Sequence, residues 1–314
     1  MTTIAEECCP LDDVLRLLRV RGGVMANLRA HAPWGLRLPA SSGAVFHSVT
    51  AGSCWLRVSG ETPRELFPGH VVLLPRAISH TVASSASGPV QPWDRAAKVK
   101  ARDASGELIL AGSGNSTQLF CATYDYDHAV THPFLSVLPP VLVIAGDAIP
   151  PGSPVHATLQ LLRYELAAGA VGRGTVIDRL IDVLFVHVVR AWLLSQADLP
   201  ASWLTALRDP AIGRALTIMH SSPATPWTID RLAREVSLSR AALTRRFTAL
   251  VGEPPLSYLT RWRMDLAARQ LRDSSDGVAA IAHRVGYTSE FAFSRAFSRT
   301  RGKAPGRYRA ERRD

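Results

Sequence analysis

The 314-residue sequence has no apolar run of the roughly 18 residues that a membrane-spanning helix needs. Its longest apolar stretch, residues 134–145, is interrupted by two prolines. The N-terminal segment is acidic and lacks a basic stretch followed by an apolar one, so we expect no secretory signal. Cysteine is also scarce, with 4 residues, which excludes a disulfide framework and favours a cytoplasmic protein.

Lysine is nearly absent, with residues at positions 98, 100 and 303 only, so most of the positive charge comes from arginine. Residues 1–200 contain 16 basic and 16 acidic residues, whereas residues 201–314 contain 20 basic and 10 acidic ones. The whole formal net charge of +10 therefore lies in the last third of the chain. A basic module joined to a neutral one indicates a nucleic acid or an acidic membrane surface as its partner, or else a solvated arginine-rich face.

The apolar pattern divides the chain into three regions. Residues 1–150 contain short apolar stretches separated by turn residues, which is typical of the strands of a sandwich or barrel. Residues 151–200 carry aliphatic residues at helical spacing on both sides of Gly172, which predicts a helical hairpin. This hairpin is expected either to form a dimer interface or to pack on its own domain. Residues 208–310 are predicted to be helical throughout.

The first region has a less regular beginning and middle. Residues 11–18 predict a short helix or an arm, and we expect strands from about residue 34 onward. Residues 84–117 are rich in serine, glycine, proline and charge, which predicts a long loop.

An internal repeat gives the strongest signal in the C-terminal region. Residues 232–247 match residues 281–297 at an offset of 49 residues before a turn and 50 residues after it. Each copy predicts a helix, a tight turn and a second helix. Ser239 and Ser289 are expected to cap the second helices, because a serine hydroxyl accepts a hydrogen bond from a free backbone N–H. Pairs of apolar residues four apart predict the buried faces of these helices: Leu243 with Phe247, and Phe293 with Phe297.

This is the pattern of two helix-turn-helix units, joined by a helix over about residues 255–271. The second helix of such a unit can enter the major groove of DNA, and two units can reach successive groove segments about 34 Å apart. The repeat within a basic segment favours DNA binding over an all-helical repeat with no role in binding DNA.

The C-terminal region resembles the AraC/XylS family of transcription regulators over about residues 210–309. The residues that carry the resemblance include Leu232, Ala233, Ser239, Arg246, Phe247, Gly252, Pro255, Tyr258, Ile281, Ala282, Gly286, Tyr287, Phe297, Pro305 and Tyr308. Ser237 departs from the family, which more often has glycine in the first turn. The resemblance implies binding to double-stranded DNA and a contact with RNA polymerase.

The resemblance also implies base contacts from both recognition helices. The residues concerned are Ala241, Thr244 and Arg245 in the first helix and Glu290, Phe291, Ser294 and Arg295 in the second. Arginine suits this role because its guanidinium reaches O6 and N7 of guanine together. Arg240 and Arg246 are interpreted as phosphate contacts, which position the protein. Glu290 is expected either to hold a neighbouring arginine or to face a cytosine amino group.

The first region carries part of a second family pattern. Gly69, Pro75 and His80 have the spacing of the second sequence motif of cupin barrels. The first motif is incomplete, because Val45 stands seven residues before Gly52 where the motif has glutamate, and the usual histidine pair is missing. The region resembles the cupin-type sensor domain of one branch of the AraC-type regulators. The resemblance implies that the domain senses a small effector or chemical signal and dimerises. The incomplete first motif predicts that the standard catalytic metal site is missing.

Two hypotheses concern the chemistry inside this barrel. His47, His80 and Cys121 are predicted to converge there, and imidazole and thiolate suit zinc or copper. Alternatively, both histidines are satisfied core residues and the cysteine is a small apolar one.

The second hypothesis is an oxidation switch. Cys8 or Cys9, on an arm folded over the barrel, would pair with Cys54 or Cys121. Inert thiols are the alternative.

The sequence thus predicts a multi-domain α+β protein. Its parts are a cupin-like sensor domain with an N-terminal arm (1–150), a helical hairpin (151–200) and a DNA-binding domain with two helix-turn-helix units (208–310). The predicted function is a homodimeric, cytoplasmic transcription regulator without catalytic activity or a membrane partner. Its cupin domain would sense a small molecule, a metal or an oxidant and thereby control DNA binding. The alternative is a cupin metalloenzyme fused to a DNA-binding domain, against which the incomplete first motif argues.

Overall fold

The computed structural model describes residues 9–18, 20–94, 107–126, 138–168, 171–196 and 202–310. Internal contacts divide these residues into a β-rich unit, which holds the described residues from 20 to 196, and a helical unit, which holds residues 9–18 and 202–310. No helix in the described ranges is long and apolar enough to cross a membrane.

The β-rich unit contains two sheets. Its strands are β1 (Arg21–His31), β2 (Gly35–Leu38), β3 (Ala44–Ala51), β4 (Cys54–Val58), β5 (Arg64–Leu66), β6 (Val71–Leu74), β7 (His80–Ala83), β8 (Gln91–Pro92), β9 (Leu108–Leu110), β10 (Ser116–Asp125) and β11 (Leu142–Ile144). The six-stranded sheet has the order β11-β6-β3-β10-β1-β9, and the five-stranded sheet has the order β5-β4-β7-β2-β8. Alternate side chains of both sheets enclose one apolar core.

Strand β1 lies within the larger sheet, between β10 and β9, although strands were expected only from about residue 34. Its signal in the sequence is weak, because it begins with Gly22 and Gly23 and turns mainly alanines towards the core, such as Ala26 and Ala30. The predicted loop over residues 84–117 likewise contains two short strands, β8 and β9.

The predicted helical hairpin is present as α2 (Pro154–Ala168) and α3 (Arg173–Ser195). It packs on the outer face of the six-stranded sheet, where the hydroxyl of Tyr124 donates a hydrogen bond to the carbonyl of Ile181 at 3.1 Å. Helix α3 comes so close to β1 that a Cβ at Gly22 would lie 2.1 Å from Cγ2 of Ile181. Because the hairpin covers this face, outward-pointing residues of β3 such as Phe46 are buried as fully as inward-pointing ones.

The helical unit contains nine of the described helices. They are α1 (Pro10–Leu18), α4 (Trp203–Ala206), α5 (Pro210–Ser221), α6 (Ile229–Glu235), α7 (Arg240–Val251), α8 (Pro255–Asp273), α9 (Val278–Arg284), α10 (Glu290–Arg301) and α11 (Pro305–Ala310). Helix α8 is the predicted connector, and its buried face contacts elements of both helix-turn-helix units.

Helix α1 belongs to the helical unit, although the sequence analysis grouped it with the barrel. Its apolar residues Val14, Leu17 and Leu18 are buried, and the helix packs against α5 and α8. The amphipathic pattern of residues 11–18 indicates a helix with one apolar face, but it does not indicate which surface that face will cover.

Candidate functional site

The first helix-turn-helix unit consists of α6 and α7. The hydroxyl of Thr228 caps α6 by accepting a hydrogen bond from the backbone N–H of Arg231 at 3.2 Å. The hydroxyl of Ser239 caps α7 in the same way, from Ala242 at 3.2 Å. Ser237 lies in the turn with φ of 54°, in the left-handed region, and is the sole non-glycine with positive φ among the described residues.

The second unit consists of α9 and α10 and repeats this plan. The hydroxyl of Ser289 accepts a hydrogen bond from the N–H of Ala292 at 3.3 Å, so both predicted serine caps are confirmed. The turn contains Gly286 with φ of 87°, where a Cβ would lie 2.6 Å from the carbonyl oxygen of Ala224. Glycine is therefore required here by both backbone conformation and space.

The predicted buried faces of the two recognition helices, α7 and α10, are confirmed. Leu243 and Phe247 in the first, and Phe293 and Phe297 in the second, are fully buried. The opposite faces are open to solvent. Most of the predicted DNA contacts are exposed, namely Arg240, Ala241, Arg245, Arg246, Glu290, Phe291 and Arg295, while Thr244 and Ser294 are half-buried.

The predicted contacts differ in how they are held. The guanidinium of Arg246 binds Asp209 through Nε at 2.7 Å and Nη2 at 2.6 Å, and Asp209 caps α5, so this arginine also fixes α7 to its neighbour. Arg295 lies over the ring of Phe291, with its Cζ 5.8 Å from the centroid. Neither Arg245 nor Glu290 forms an ion pair with any described residue. Glu290 therefore does not hold a neighbouring arginine in this structure.

Helix α8 is tied to the second unit through a buried carboxylate and to the loop before the first unit through an arginine. Asp265 is fully buried and forms a short contact with Arg301 at the end of α10. Arg261 lies 3.7 Å from the same carboxylate and binds Glu253 at 2.6 Å. The neighbouring Arg263 donates hydrogen bonds to two carbonyl groups of the loop that precedes α6. Sequence analysis did not identify this network, because a carboxylate in an arginine-rich helix is ordinarily solvated.

A polar network joins α1 to α4, α5 and α8, the helices around the first unit. His220 of α5 is buried, with Nδ1 lying 3.3 Å from a carboxylate oxygen of Asp13 and Nε2 lying 2.7 Å from the hydroxyl of Tyr258. Its ring stacks on Trp262 at a centroid distance of 4.0 Å. Burial lowers the pKa of His220 despite the nearby carboxylate, so the neutral ring is favoured. The indole of Trp203 donates a second hydrogen bond to Tyr258 at 2.9 Å.

In the β-rich unit, His47, His80 and Cys121 meet inside the core, as predicted. Nδ1 of His47 lies 3.0 Å from Sγ of Cys121, and its Nε2 lies 2.9 Å from Nε2 of His80. Nδ1 of His80 lies 2.8 Å from the carbonyl oxygen of Ile78. Burial lowers the pKa of both histidines, that of His47 strongly, so the neutral form of each ring is favoured.

With both imidazole rings neutral, these contacts allow a single arrangement of protons. A carbonyl oxygen only accepts, so His80 carries its proton on Nδ1 and accepts on Nε2. His47 then donates from Nε2 and accepts on Nδ1 from the thiol of Cys121. The three side chains form a linear hydrogen-bonded chain that ends at the Ile78 carbonyl.

The geometry of this chain differs from that of a metal centre. Zinc needs nitrogen ligands at about 2.0–2.1 Å and sulfur at about 2.3 Å around one point. Here the neighbours of His47 lie at its two ring nitrogens, so one ion bound by all three residues would require the ring to turn. Across the described ranges, no three histidine, cysteine or acidic side chains are grouped so that they could hold a metal ion.

The predicted redox residues differ in their exposure. Cys54 and Cys121 are buried free thiols in the β-rich unit, and burial raises the pKa of Cys54 to about 12 and that of Cys121 further. Such thiols form little of the reactive thiolate. Cys9 is an exposed free thiol beside α1 in the helical unit, and Cys8 lies outside the described residues.

Comparison with known proteins gives two family matches. A cupin model matches residues 10–194, and a helix-turn-helix domain model matches residues 232–311. An AraC-like transcription regulator from Streptomyces antibioticus is 39% identical over 301 residues, covering 96% of this chain and 98% of that protein. The HTH-type transcriptional regulator MtrA from Neisseria gonorrhoeae is 30% identical over 306 residues, covering 96% of this chain and 98% of that protein. Among solved structures, the DNA-binding domain of AdpA in complex with a target DNA is 31% identical and covers 33% of this chain and 93% of that one, with a TM-score of 0.32.

Proposed function

This chain belongs to the AraC family of transcription regulators, with a cupin domain ahead of its helix-turn-helix domain, and on that premise we propose a division of labour between the two. Both recognition helices read specific sequences in double-stranded DNA. A chemical signal received by the cupin domain controls that reading.

The observation that best supports sequence reading is the pair of arginines at matched positions, Arg245 and Arg295. Each is exposed on a serine-capped helix whose opposite face is buried, so the backbone fixes where each side chain begins. No described carboxylate forms an ion pair with either arginine, which leaves both guanidinium groups available to a guanine edge.

The first test is to select binding sites from random DNA with the full chain and then compare three variants. Arg245→Ala and Arg295→Ala should each lose about 1–3 kcal/mol of discrimination at separate base positions. Arg240→Ala is the matched control on the same exposed surface, and it should weaken binding to all sequences while flattening the salt dependence. An unchanged base preference in both arginine variants would contradict the assignment.

We propose that the chain acts as a dimer through its helical hairpin. Leu161, Tyr164 and Leu194 of the hairpin point to solvent with exposures of 53%, 68% and 77%, and exposed apolar side chains of this size favour a protein partner. Leu161→Arg should yield monomers in light scattering. Phe67→Arg, at an exposed phenylalanine outside the hairpin, is the control that should stay dimeric. If Leu161→Arg is also dimeric, the dimer interface does not include this part of the hairpin.

A contact with RNA polymerase, implied by the family resemblance, also belongs to this proposal. Transcription in vitro from a template that carries the selected site would test it. A change in transcript level that depends on both the site and the regulator supports the contact.

We further propose that the cupin domain senses and does not catalyse, because His47, His80 and Cys121 are engaged in a linear chain of hydrogen bonds. Zinc or copper in this domain stays a prediction from the sequence. Elemental analysis of protein purified without chelator tests it, and His80→Ala should release any metal found there.

The oxidation switch also stays a prediction. Thiol titration before and after mild oxidation tests it, with Cys9→Ser compared with Cys54→Ser and Cys121→Ser.

A further inference from the structure

A cavity of about 300 Å³ lies in the β-rich unit, outside the barrel core. It is enclosed by the outer face of the six-stranded sheet on one side and by helix α2 on the other. Its walls are mainly apolar, with Phe120 on the sheet, Ile149 before the helix, and Leu159, Leu162 and Leu166 along α2. This volume is at the lower end of that of known ligand pockets and accommodates roughly ten non-hydrogen atoms.

Two polar groups at this cavity have no partner in the described part of the chain. Ser48 lines it from β3, and its hydroxyl forms no hydrogen bond with a described residue. This hydroxyl is therefore available to a polar atom of a ligand in the cavity. Arg163 of α2 lies at the rim, exposed, and forms no ion pair with a described residue. The other polar side chains are engaged, since Thr50 donates to the Gln118 carbonyl at 3.3 Å.

We propose that this cavity is the effector site and binds a small organic monocarboxylate with an apolar body and a second oxygen at its far end. The carboxylate pairs with Arg163, the body lies against the leucines of α2, and the far oxygen bonds to the Ser48 hydroxyl. Charge selects the head group, because an arginine fork binds a carboxylate with two parallel hydrogen bonds. The size of the cavity limits the body to a short chain or a single ring.

The position of the cavity suggests how an occupant would act. Helix α2 turns Leu159, Leu162 and Leu166 towards the cavity, while Leu161 and Tyr164 on the same helix point to solvent. A ligand that fills the space beneath α2 therefore fixes the helix that carries the proposed dimer surface. This regulatory step rests on the proposed function, whereas binding to the cavity does not.

The test uses the full chain and three probes in titration calorimetry. The first is 7-hydroxyheptanoate, which carries both polar ends. Heptanoate lacks the far hydroxyl, and 1,7-heptanediol lacks the charge. We expect the diol to bind roughly 10–100-fold more weakly, as for a lost charge-assisted hydrogen bond, and heptanoate roughly 2–10-fold more weakly.

Two variants assign these differences to residues. Arg163→Gln should remove the preference for the acid over the diol, and Ser48→Ala should remove the preference for the hydroxylated acid over heptanoate. Arg190→Gln is the matched control, because it removes the same charge from α3 at a second cavity of about 380 Å³, and it should change neither preference. Thermal unfolding of each variant shows whether it is folded.

The outcomes separate this proposal from the proposed function. If none of the probes binds, or if Arg190→Gln abolishes binding while Arg163→Gln does not, the assignment of this cavity is overturned. Sequence-specific DNA binding by the same preparation would then leave the proposed function intact. Binding with the expected preferences supports the site even in a preparation that does not recognise DNA.

Discussion

The two helix-turn-helix units share a plan and differ in their surroundings. Both have a serine-capped recognition helix, an apolar pair four residues apart, and a glycine in the left-handed region after the helix. The first unit turns at Ser237 and the second at Gly286, and α6 has a side-chain cap whereas α9 has none. The two recognition helices are thus built alike, while the turns and the first helices of the two units differ.

The neighbours themselves differ in kind. The first unit packs against α4, α5 and α8, and in two of these helices His220 and Tyr258 form a polar network with Asp13 of α1. The second packs against α11, where the rings of Phe297 and Tyr308 lie 5.3 Å apart. Helix α1 therefore contacts the helices that surround the first unit. We expect substitutions in α1 to affect the first unit more than the second.

The largest expected effect comes from the carboxylate that joins α8 to the second unit. Asp265→Asn removes the negative charge that contacts Arg301, whose side chain is 4% exposed. Breaking such a pair costs about 3–5 kcal/mol of unfolding free energy, measured by denaturant titration. Asp276→Ala is the control, since it removes an exposed partner of Arg284 and should cost far less. Equal losses of unfolding free energy in the two variants would show that the buried ion pair stabilises the fold no more than the exposed one.

The next prediction concerns the second turn. Gly286→Ala places a Cβ 2.6 Å from the Ala224 carbonyl in addition to forcing a left-handed backbone, so we expect a loss of about 2–4 kcal/mol. Gly252→Ala separates these two causes, because Gly252 has the same φ of 87° with no atom within 4 Å of its added Cβ. That variant should lose only about 1–2 kcal/mol. A similar loss in both variants would mean that the contact between the added Cβ and the Ala224 carbonyl does not destabilise the protein.

How far the sequence predicted these features depends on the range of the interaction. Caps and buried pairs are set within one or two helical turns, so Ser239, Ser289 and the apolar pairs could be predicted from spacing alone. The meeting of His47, His80 and Cys121 was also predicted, because strand alternation turns all three inward. The surface that α1 covers and the partner of Arg246 could not be predicted, since each depends on packing between segments far apart in the chain.

A smaller effect should distinguish the first turn from the second. Ser237→Gly relieves a left-handed residue that carries a Cβ, so it should stabilise the chain by about 1 kcal/mol in thermal or denaturant unfolding. A flexible glycine in the unfolded chain offsets part of this gain. A destabilised Ser237→Gly protein would mean that the serine side chain contributes more than its backbone conformation costs.

The smallest predicted effect concerns how each recognition helix holds its arginine. Phe291 is 72% exposed and lies beside Arg295, whereas Ala241, at the matched position, offers Arg245 no such surface. An exposed contact between an arginine and an aromatic ring contributes about 0.5–1 kcal/mol. Phe291→Ala should therefore weaken discrimination at the base read by Arg295 about two- to fivefold, with no change at the base read by Arg245. Ala241→Phe is the reciprocal variant, and it should sharpen reading by Arg245 if the ring acts by restraining the guanidinium. If Ala241→Phe does not sharpen reading by Arg245 although Phe291→Ala weakens reading in the second helix, Phe291 is assigned to direct contact with the DNA. Its ring can then meet a thymine methyl group.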